Sequence, residues 1–333
     1  MRLFVLAALM ALSVPASGDF RPRLASAQEK KDEKKDEKEK ELVKLLDEIE
    51  TAMEARKYKE VLSLCEKVAK LDPKHPAIPF AAGRAYLGMY QPAEALKAFN
   101  QAIELEPKFA GAYNGAGQAH LGLRQNTEAL KAFNQAIELD PKNAWVYNGR
   151  GDAHFKLGKF KEAIDDYDVF LKAYPKLAAD HWKRGIALYY AGRFKDGVDQ
   201  FELHRKVNPE DVENSAWHYL CNARANTPEK ARKDLIPVKK DTRVPMKEVL
   251  ELFAGKIKPK DVLDAAENSK LKDEDLKEAR FYANLYIALY YESEGDAKNC
   301  LEHMTAAVEK YKIGHYMWDV ADVHLKLLKD KKK

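Results

Sequence analysis

Apolar residues recur along this chain with the spacing of paired amphipathic helices. In the first pair they are Leu42, Leu45, Leu46 and Ile49, then Val61, Leu62, Leu64 and Val68. Because apolar side chains three and four residues apart share one helix face, this pattern predicts two helices joined by a turn. Two later segments, EALKAFNQAIELEPK at 94–108 and EALKAFNQAIELDPK at 128–142, are almost identical. The sequence therefore predicts a helix hairpin that is repeated along the chain.

The two copies lie 34 residues apart, from Glu94 to Glu128, and other residue types recur with the same period. The recurring positions are prolines (Pro73, Pro107, Pro141, Pro175, Pro209), glycines (Gly83, Gly117, Gly151, Gly185), aromatic residues (Phe99, Phe133, Tyr167, Phe201) and small residues (Ala95, Ala129, Ala163, Gly197). Glycine permits close approach of two helices, an aromatic ring fills the wider gap, and proline ends a helix because it lacks an amide donor. These columns predict a solenoid in which each hairpin buries its apolar face against its neighbours.

These repeats resemble the tetratricopeptide repeat (TPR). Copies at 75–108, 109–142, 143–176 and 177–210 match well, and 41–74 is a weaker first copy. The resemblance implies an all-α fold, a right-handed α-solenoid of TPR helix hairpins whose first helices line a concave groove. It also implies protein or peptide partners that bind in this groove.

The groove-facing positions lie about a hundred degrees round each first helix from its packing stripe. They form a mixed set: Phe80, Arg84, Asn114, Gln118, Asn148, Asp152, Phe155, Trp182 and Tyr189. Amides that recur at one period suit hydrogen bonds to an extended peptide, and aromatic side chains suit anchoring of a partner. The alternative for Asn114 and Asn148 is that they only record a duplicated surface.

After residue 210 the period is lost, but helical segments continue. The sequence predicts a helix around Trp217–Leu220, a helix start at Thr227-Pro228, a helix from about Pro245 to Ala254 that stops at Gly255, a short helix after Pro259, a hairpin from Leu276 to Lys312 that turns at Glu294-Gly295-Asp296, and a closing helix from His315 to Leu328. This order, with LELFAGKIKP at 250–259, resembles the bacterial envelope TPR lipoprotein that scaffolds peptidoglycan hydrolases and presents substrates to a tail-specific protease. The resemblance implies an envelope adaptor and a homodimer.

The first residues predict an export signal. Met1 and Arg2 precede a run from Leu3 to Val14 that is apolar except for Ser13, and small-residue cleavage sites follow at 16–18 and 25–27. The run is too short to span a bilayer comfortably, which favours a cleaved signal over a membrane anchor. No cysteine lies nearby for lipid attachment. We therefore expect a periplasmic or secreted protein with no stable membrane span.

The predicted divisions are an export signal and cleavage region (1–27), a charged linker (28–40), five TPR repeats (41–210), a degenerate helical segment (211–275), and a divergent TPR hairpin with a capping helix (276–330).

The charge and the candidate chemical motifs of the sequence narrow the range of possible functions. The formal net charge is only +4 although 33% of residues are charged, so the charges are mixed and nucleic acid is not an expected partner. The three cysteines form no complete disulfide framework. No nucleophile motif, phosphate-binding loop or metal-ligand spacing is present, so we predict no catalytic residue, metal or cofactor.

The leading hypothesis is an exported scaffold or adaptor, not an enzyme, that binds peptide or protein segments in its concave groove within cell-envelope complexes. A second hypothesis is a homodimeric structural module of the envelope whose C-terminal half is the interaction surface. A third is a hydrolase with an unrecognised site in the C-terminal half, although function has to be argued from a site and the sequence shows none.

Overall fold

The computed structural model describes residues 22–330, with side chains from residue 35 onward. Within this range every regular element is a helix, as predicted. The paired helices of the repeats are α1 (Pro22–Glu54), α2 (Tyr58–Leu71), α3 (Ala77–Gly88), α4 (Pro92–Leu105), α5 (Ala110–Gly122), α6 (Asn126–Leu139), α7 (Ala144–Lys156), α8 (Phe160–Ala173), α9 (Trp182–Tyr190) and α10 (Phe194–Arg205). A short 3₁₀ turn, Pro175–Leu177, separates α8 from α9.

The second half contains α11 (Val212–Ala225), α12 (Pro228–Lys233), α13 (Met246–Phe253), α14 (Pro259–Glu267), α15 (Asp273–Ser293), α16 (Ala297–Thr305), a π-helical turn (Ala306–Lys310) and α17 (Tyr316–Asp330). In the described part of the chain, no helix combines the length and apolar composition that crossing a bilayer requires. The apolar run Leu3–Val14 of the predicted export signal lies outside the described residues. The predicted linker, 28–40, lies within α1.

Stacking of the repeats depends on an aromatic ring held between glycines of two successive first helices. Phe133 of α6 is fully buried between Gly117 of α5 and Gly149 of α7. A Cβ atom would lie 2.6 Å from the ring at Gly117 and 2.8 Å at Gly149. Real side chains do not pack this closely, so both positions require glycine while the ring keeps its place.

The same ring-to-glycine contact recurs in the other repeats: Phe99 with Gly83, Tyr167 with Gly151, and Phe201 with Gly185. All four rings are buried. The predicted glycine and aromatic columns are therefore confirmed as one packing contact.

Each hairpin turns through one residue with a left-handed backbone. These residues recur every 34 positions and have φ between 55° and 74°: Arg56, Tyr90, Arg124, Gly158 and Gly192. The first three carry a Cβ, which costs about 1 kcal/mol in this conformation. The side chain of Arg124 has a second role, described below.

The second half extends the core without the strict period. A continuous cluster of buried apolar side chains joins the fourth repeat to α11, α13, α15 and α17. The predicted cap is confirmed, since the Thr227 side chain accepts a hydrogen bond from the backbone N–H of Lys230. The predicted stop after α13 and the predicted turn before α16 occur at Gly255 and Gly295, which have φ of 70° and 79°.

Replacing Gly117 by alanine should destabilise the protein, although alanine is normally the better helix former by about 1 kcal/mol. The added methyl group would overlap the Phe133 ring, and overpacking of this kind costs about 1–3 kcal/mol. We expect the free energy of unfolding in urea to fall by about 2 kcal/mol.

The matched measurement is the same substitution in a Phe133→Leu background. The smaller side chain leaves room for the methyl group, so the loss caused by Gly117→Ala should shrink below about 1 kcal/mol. An equal loss of unfolding free energy in both backgrounds would show that the Phe133 ring is not the reason why glycine is required at Gly117.

Candidate peptide-binding groove

The N-terminal part of the concave face is open. Arg84 of α3 donates a hydrogen bond to Glu50 at 2.9 Å, and its guanidinium lies 5.8 Å from the centre of the Phe80 ring. On α5, Gln118 is exposed, and the buried Oδ1 atom of Asn114 has no hydrogen-bond partner among the described residues. Four of the predicted groove residues therefore form one surface, called here the open groove (Phe80, Arg84, Asn114, Gln118).

The amide and carboxylate predicted for the middle of the groove are already engaged. Asn148 Oδ1 accepts a hydrogen bond from His181 Nε2 at 2.8 Å. Asp152 accepts one from the Tyr167 hydroxyl at 2.8 Å and one from Lys183 Nζ at 2.7 Å. These side chains join the fourth and fifth repeats, which is a structural role that repeat periodicity does not reveal.

The C-terminal part of the groove is covered by the chain itself. Residues 313–325, called here the C-terminal strap, lie against α7 and α9. The Tyr316 ring stacks on Phe155 with centroids 5.8 Å apart and meets Trp182 edge-to-face at 5.3 Å. Phe155 is 0% exposed and Tyr189 only 4% exposed. The expectation that these aromatic residues form an open anchoring surface therefore differs from the structure. The strap covers Phe155, whereas α10 and α11 pack against Tyr189.

An ion-pair cluster attaches the strap to the groove. Asp319 accepts hydrogen bonds from Arg124 and pairs with Lys156 Nζ at 2.9 Å. The Arg124 guanidinium also lies 3.9 Å from the centre of the Trp318 ring and donates to the Ile313 carbonyl at 3.3 Å. These groups are largely shielded from water, so the pairs are screened less than ordinary surface pairs.

A second set of contacts extends the attachment. Lys183 Nζ lies 4.6 Å from the centre of the Tyr316 ring, a cation–π arrangement. Farther along α17, the Tyr190 hydroxyl and His324 Nδ1 are 2.9 Å apart. Sequence analysis missed this site. Its signal in the sequence is the aromatic and acidic run Tyr316 to Asp319, which supplies both kinds of contact.

His181 caps α9 at the bottom of the groove. Its Nδ1 atom accepts a hydrogen bond from the backbone N–H of Arg184 at 3.3 Å, which places the ring proton on Nε2, facing Asn148. Protonation would add a second proton facing the Arg184 N–H. Burial lowers the pKa of His181 from 6.5 to about 4. The residue is therefore neutral at physiological pH.

No group of three or more histidine, cysteine or acidic side chains within residues 35–330 is arranged to hold a metal ion. Burial raises the pKa of the Cys65 thiol to about 11, so this cysteine of the aromatic column is a protonated packing residue.

The tetratricopeptide repeat family matches residues 80–144 and 116–178. This part of the chain therefore consists of tetratricopeptide repeats, and the fold is that of a TPR solenoid. These matches do not confirm the more specific resemblance to an envelope lipoprotein. A search of curated proteins found no match.

Solved TPR structures resemble this one. YrrB, a TPR protein with an unusual peptide-binding site, is 19% identical, covers 58% of this chain and 98% of its own, and gives a TM-score of 0.50. A tetratricopeptide repeat protein from Parabacteroides merdae is 13% identical, with 86% and 98% covered and a TM-score of 0.49. The MamA protein is 20% identical, with 52% and 94% covered and a TM-score of 0.43. The similarity to YrrB supports the fold alone.

Replacing Asp319 by asparagine should loosen the C-terminal strap. Arg124 and Lys156 would lose their charged partner in a shielded site, at a cost of about 2 kcal/mol. We expect faster amide hydrogen exchange in α17 and at the Arg124 turn, measured by mass spectrometry.

The matched control is Asp322→Asn on the same helix, which removes only the pair with Lys326 one turn away. Such pairs contribute about 0.5 kcal/mol, so exchange should change little. Equal acceleration in the two variants would argue against a special role for the Asp319 cluster.

Stability should fall in mild acid because of His181. Its folded pKa lies below its ordinary value, so the unfolded chain binds a proton first as the pH falls. The stabilisation is complete above about pH 6.5 and is lost as the pH approaches 4.

His181→Asn keeps a capping oxygen but removes the titration. Between about pH 7 and pH 4.5 the parent should lose about 2 kcal/mol more unfolding free energy than this variant. Parallel stability curves for the two proteins would contradict the assignment.

Proposed function

We propose that this protein is an exported scaffold that binds segments of partner proteins in its concave groove, within complexes of the cell envelope. The observation that carries the proposal is the C-terminal strap. The groove already holds a polypeptide segment through aromatic stacking and ion pairs, so its surface has the chemistry for such a ligand.

The open groove is where a partner segment binds in this proposal. It offers an aromatic ring at Phe80, a cation at Arg84 and an exposed amide at Gln118. The Oδ1 atom of Asn114 is buried without a hydrogen-bond partner among the described residues, which costs about 1–3 kcal/mol. In this proposal the partly exposed Asn114 side chain rotates and presents that atom to a partner's N–H group. Binding would remove that penalty, which favours a segment with a free backbone amide.

The export and envelope parts of the proposal rest on the sequence. The apolar run Leu3–Val14 and the small-residue sites that follow support a cleaved signal. The organisation of the second half supports an envelope adaptor by resemblance. YrrB, a solenoid of the same fold, is described as having a peptide-binding site, which agrees with a ligand in the groove.

The alternative of a homodimer gains no surface from the aromatic residues of α15. Phe281, Tyr282 and Tyr286 are buried in the core of the same chain. Dimerisation stays a prediction that those residues do not support.

The test is capture of partners from an envelope extract of the source cells with the full-length protein. The groove variant carries Arg84→Ala, Asn114→Ala and Gln118→Ala. The control variant carries Lys97→Ala, Asn100→Ala and Gln101→Ala, three exposed residues of similar type on the second helix α4. We expect the groove variant to bind its partners at least about tenfold more weakly, because a few contacts dominate such interfaces.

Equal capture by the two variants would exclude the open groove as the binding surface, and the absence of any captured protein would exclude a scaffold. The full-length protein used for capture also provides a test of export. It should be found in the envelope fraction without its first 18 or 27 residues, and an intact N-terminus there would contradict signal cleavage.

A further inference from the structure

A cavity of about 330 Å³ lies beyond the strap, where α9, α10 and α11 meet the start of α17. Its apolar walls come from Trp182, Ile186, Phe201, Trp217 and Met317. This volume falls within the range of pockets that hold a small ligand or a large side chain. Only Trp182 belongs to the predicted groove residues, so the cavity is a separate feature.

Two buried polar atoms of α11 at this cavity lack partners. Asn214 is 4% exposed and Trp217 is 2% exposed, and both line the cavity. Neither Asn214 Oδ1 nor Trp217 Nε1 has a hydrogen-bond partner among the described residues. Buried polar groups are nearly always paired, so an acceptor and a donor left together three residues apart indicate a place for a ligand's polar groups.

The charges around the cavity determine whether it favours a cationic or an anionic ligand. Three carboxylates line it, and Arg243 pairs with two of them, with Asp211 at 2.8 Å and with Glu213 at 2.7 Å. The third, Asp180, is exposed and has no ion pair among the described residues. Arg243 also pairs with Asp241 at 2.6 Å, and burial raises the pKa of Glu213. Even with Glu213 protonated, three carboxylates and one guanidinium leave two negative charges.

Histidines do not reverse this balance. Burial opposes protonation of His204, but its bonds to Asp211 and to the Ala179 carbonyl outweigh burial and raise its pKa. Burial lowers the pKa of His315, which keeps that ring neutral. Even with His204 charged, the site keeps one net negative charge, so it favours a cation over an anion.

We propose that this cavity accepts the side chain of a lysine or arginine from a protein segment bound on the concave face, an inference that rests on the proposed scaffold function. The aliphatic stem packs on Trp182 and Met317, and the cationic end is held by Asp180 and Asn214 Oδ1. Trp217 Nε1 donates a hydrogen bond to a carbonyl of the same residue.

The experiment follows the indole N–H signals of the full-length protein, labelled with ¹⁵N at tryptophan, by nuclear magnetic resonance. The probes are N-acetyl-lysinamide and its uncharged analogue N-acetyl-norleucinamide. We expect saturable shifts of the Trp217 and Trp182 signals with the lysine probe and at least about tenfold weaker binding of the norleucine probe. The signal of Trp145, exposed on α7 away from the cavity, is the internal reference.

A matched pair of variants locates the charge effect. Asp180→Asn should weaken binding of the lysine probe about fivefold, whereas Asp199→Asn, an exposed aspartate on α10, should leave it unchanged. Equal binding of the two probes would mean a merely apolar cavity and would overturn the proposal. No shift with the lysine probe, or an equal effect of both substitutions, would overturn it as well.

The outcome of this experiment can be distinguished from the outcome of the partner-capture experiment that tests the scaffold. If the groove variant loses its partners but the lysine probe does not bind, the scaffold stands and the basic-residue site is wrong. If the probe binds but the full-length protein captures no partner, the cavity is selective for cations but does not serve a partner segment, and the proposal is overturned in that form.

Discussion

The contact between a buried aromatic ring and the glycines on either side of it governs this structure. Phe133 touches the backbone of α5 and of α7 at once, so the ring sets the separation of two successive first helices. Helices at that separation leave no room for a side chain at Gly117 or Gly149, and the sequence must keep both residue types in phase. The 34-residue period is the sequence counterpart of this one contact, and the concave face follows from repeating it.

The groove differs at the position where one of the two glycines that flank the aromatic ring is replaced by another residue. One period after Gly149 the residue is Lys183, and the Tyr167 ring meets His181 with centroids 4.7 Å apart. The lysine side chain instead reaches Asp152 and the face of Tyr316. A position that is purely structural in the fourth repeat thus becomes charged in the fifth, where the C-terminal strap is held.

Much of the fold could be predicted from the sequence because its causes are local. The glycine and aromatic columns, the Thr227 cap and the turn at Gly295 each depend on neighbouring residues, and each is observed. The state of the groove could not be predicted in this way. Periodicity identifies the face on which Phe155 lies, but the burial of this ring depends on the C-terminal strap, a segment far away in sequence. The same periodicity predicts that Asn148 and Asp152 face a partner, whereas they form hydrogen bonds with the next repeat.

The cluster of Arg124, Asp319 and Lys156 also has a consequence for how the chain is assembled. Arg124 and Asp319 are separated by 195 residues, whereas the stacking contacts join neighbouring hairpins. During synthesis each hairpin can pack on the one before it as it emerges, because local contacts close only short loops. The groove therefore stays uncovered while the repeats are being made and is covered only after residues 313–325 have been synthesised. A polypeptide that stops short of residue 313 would keep the repeats and lose the cover.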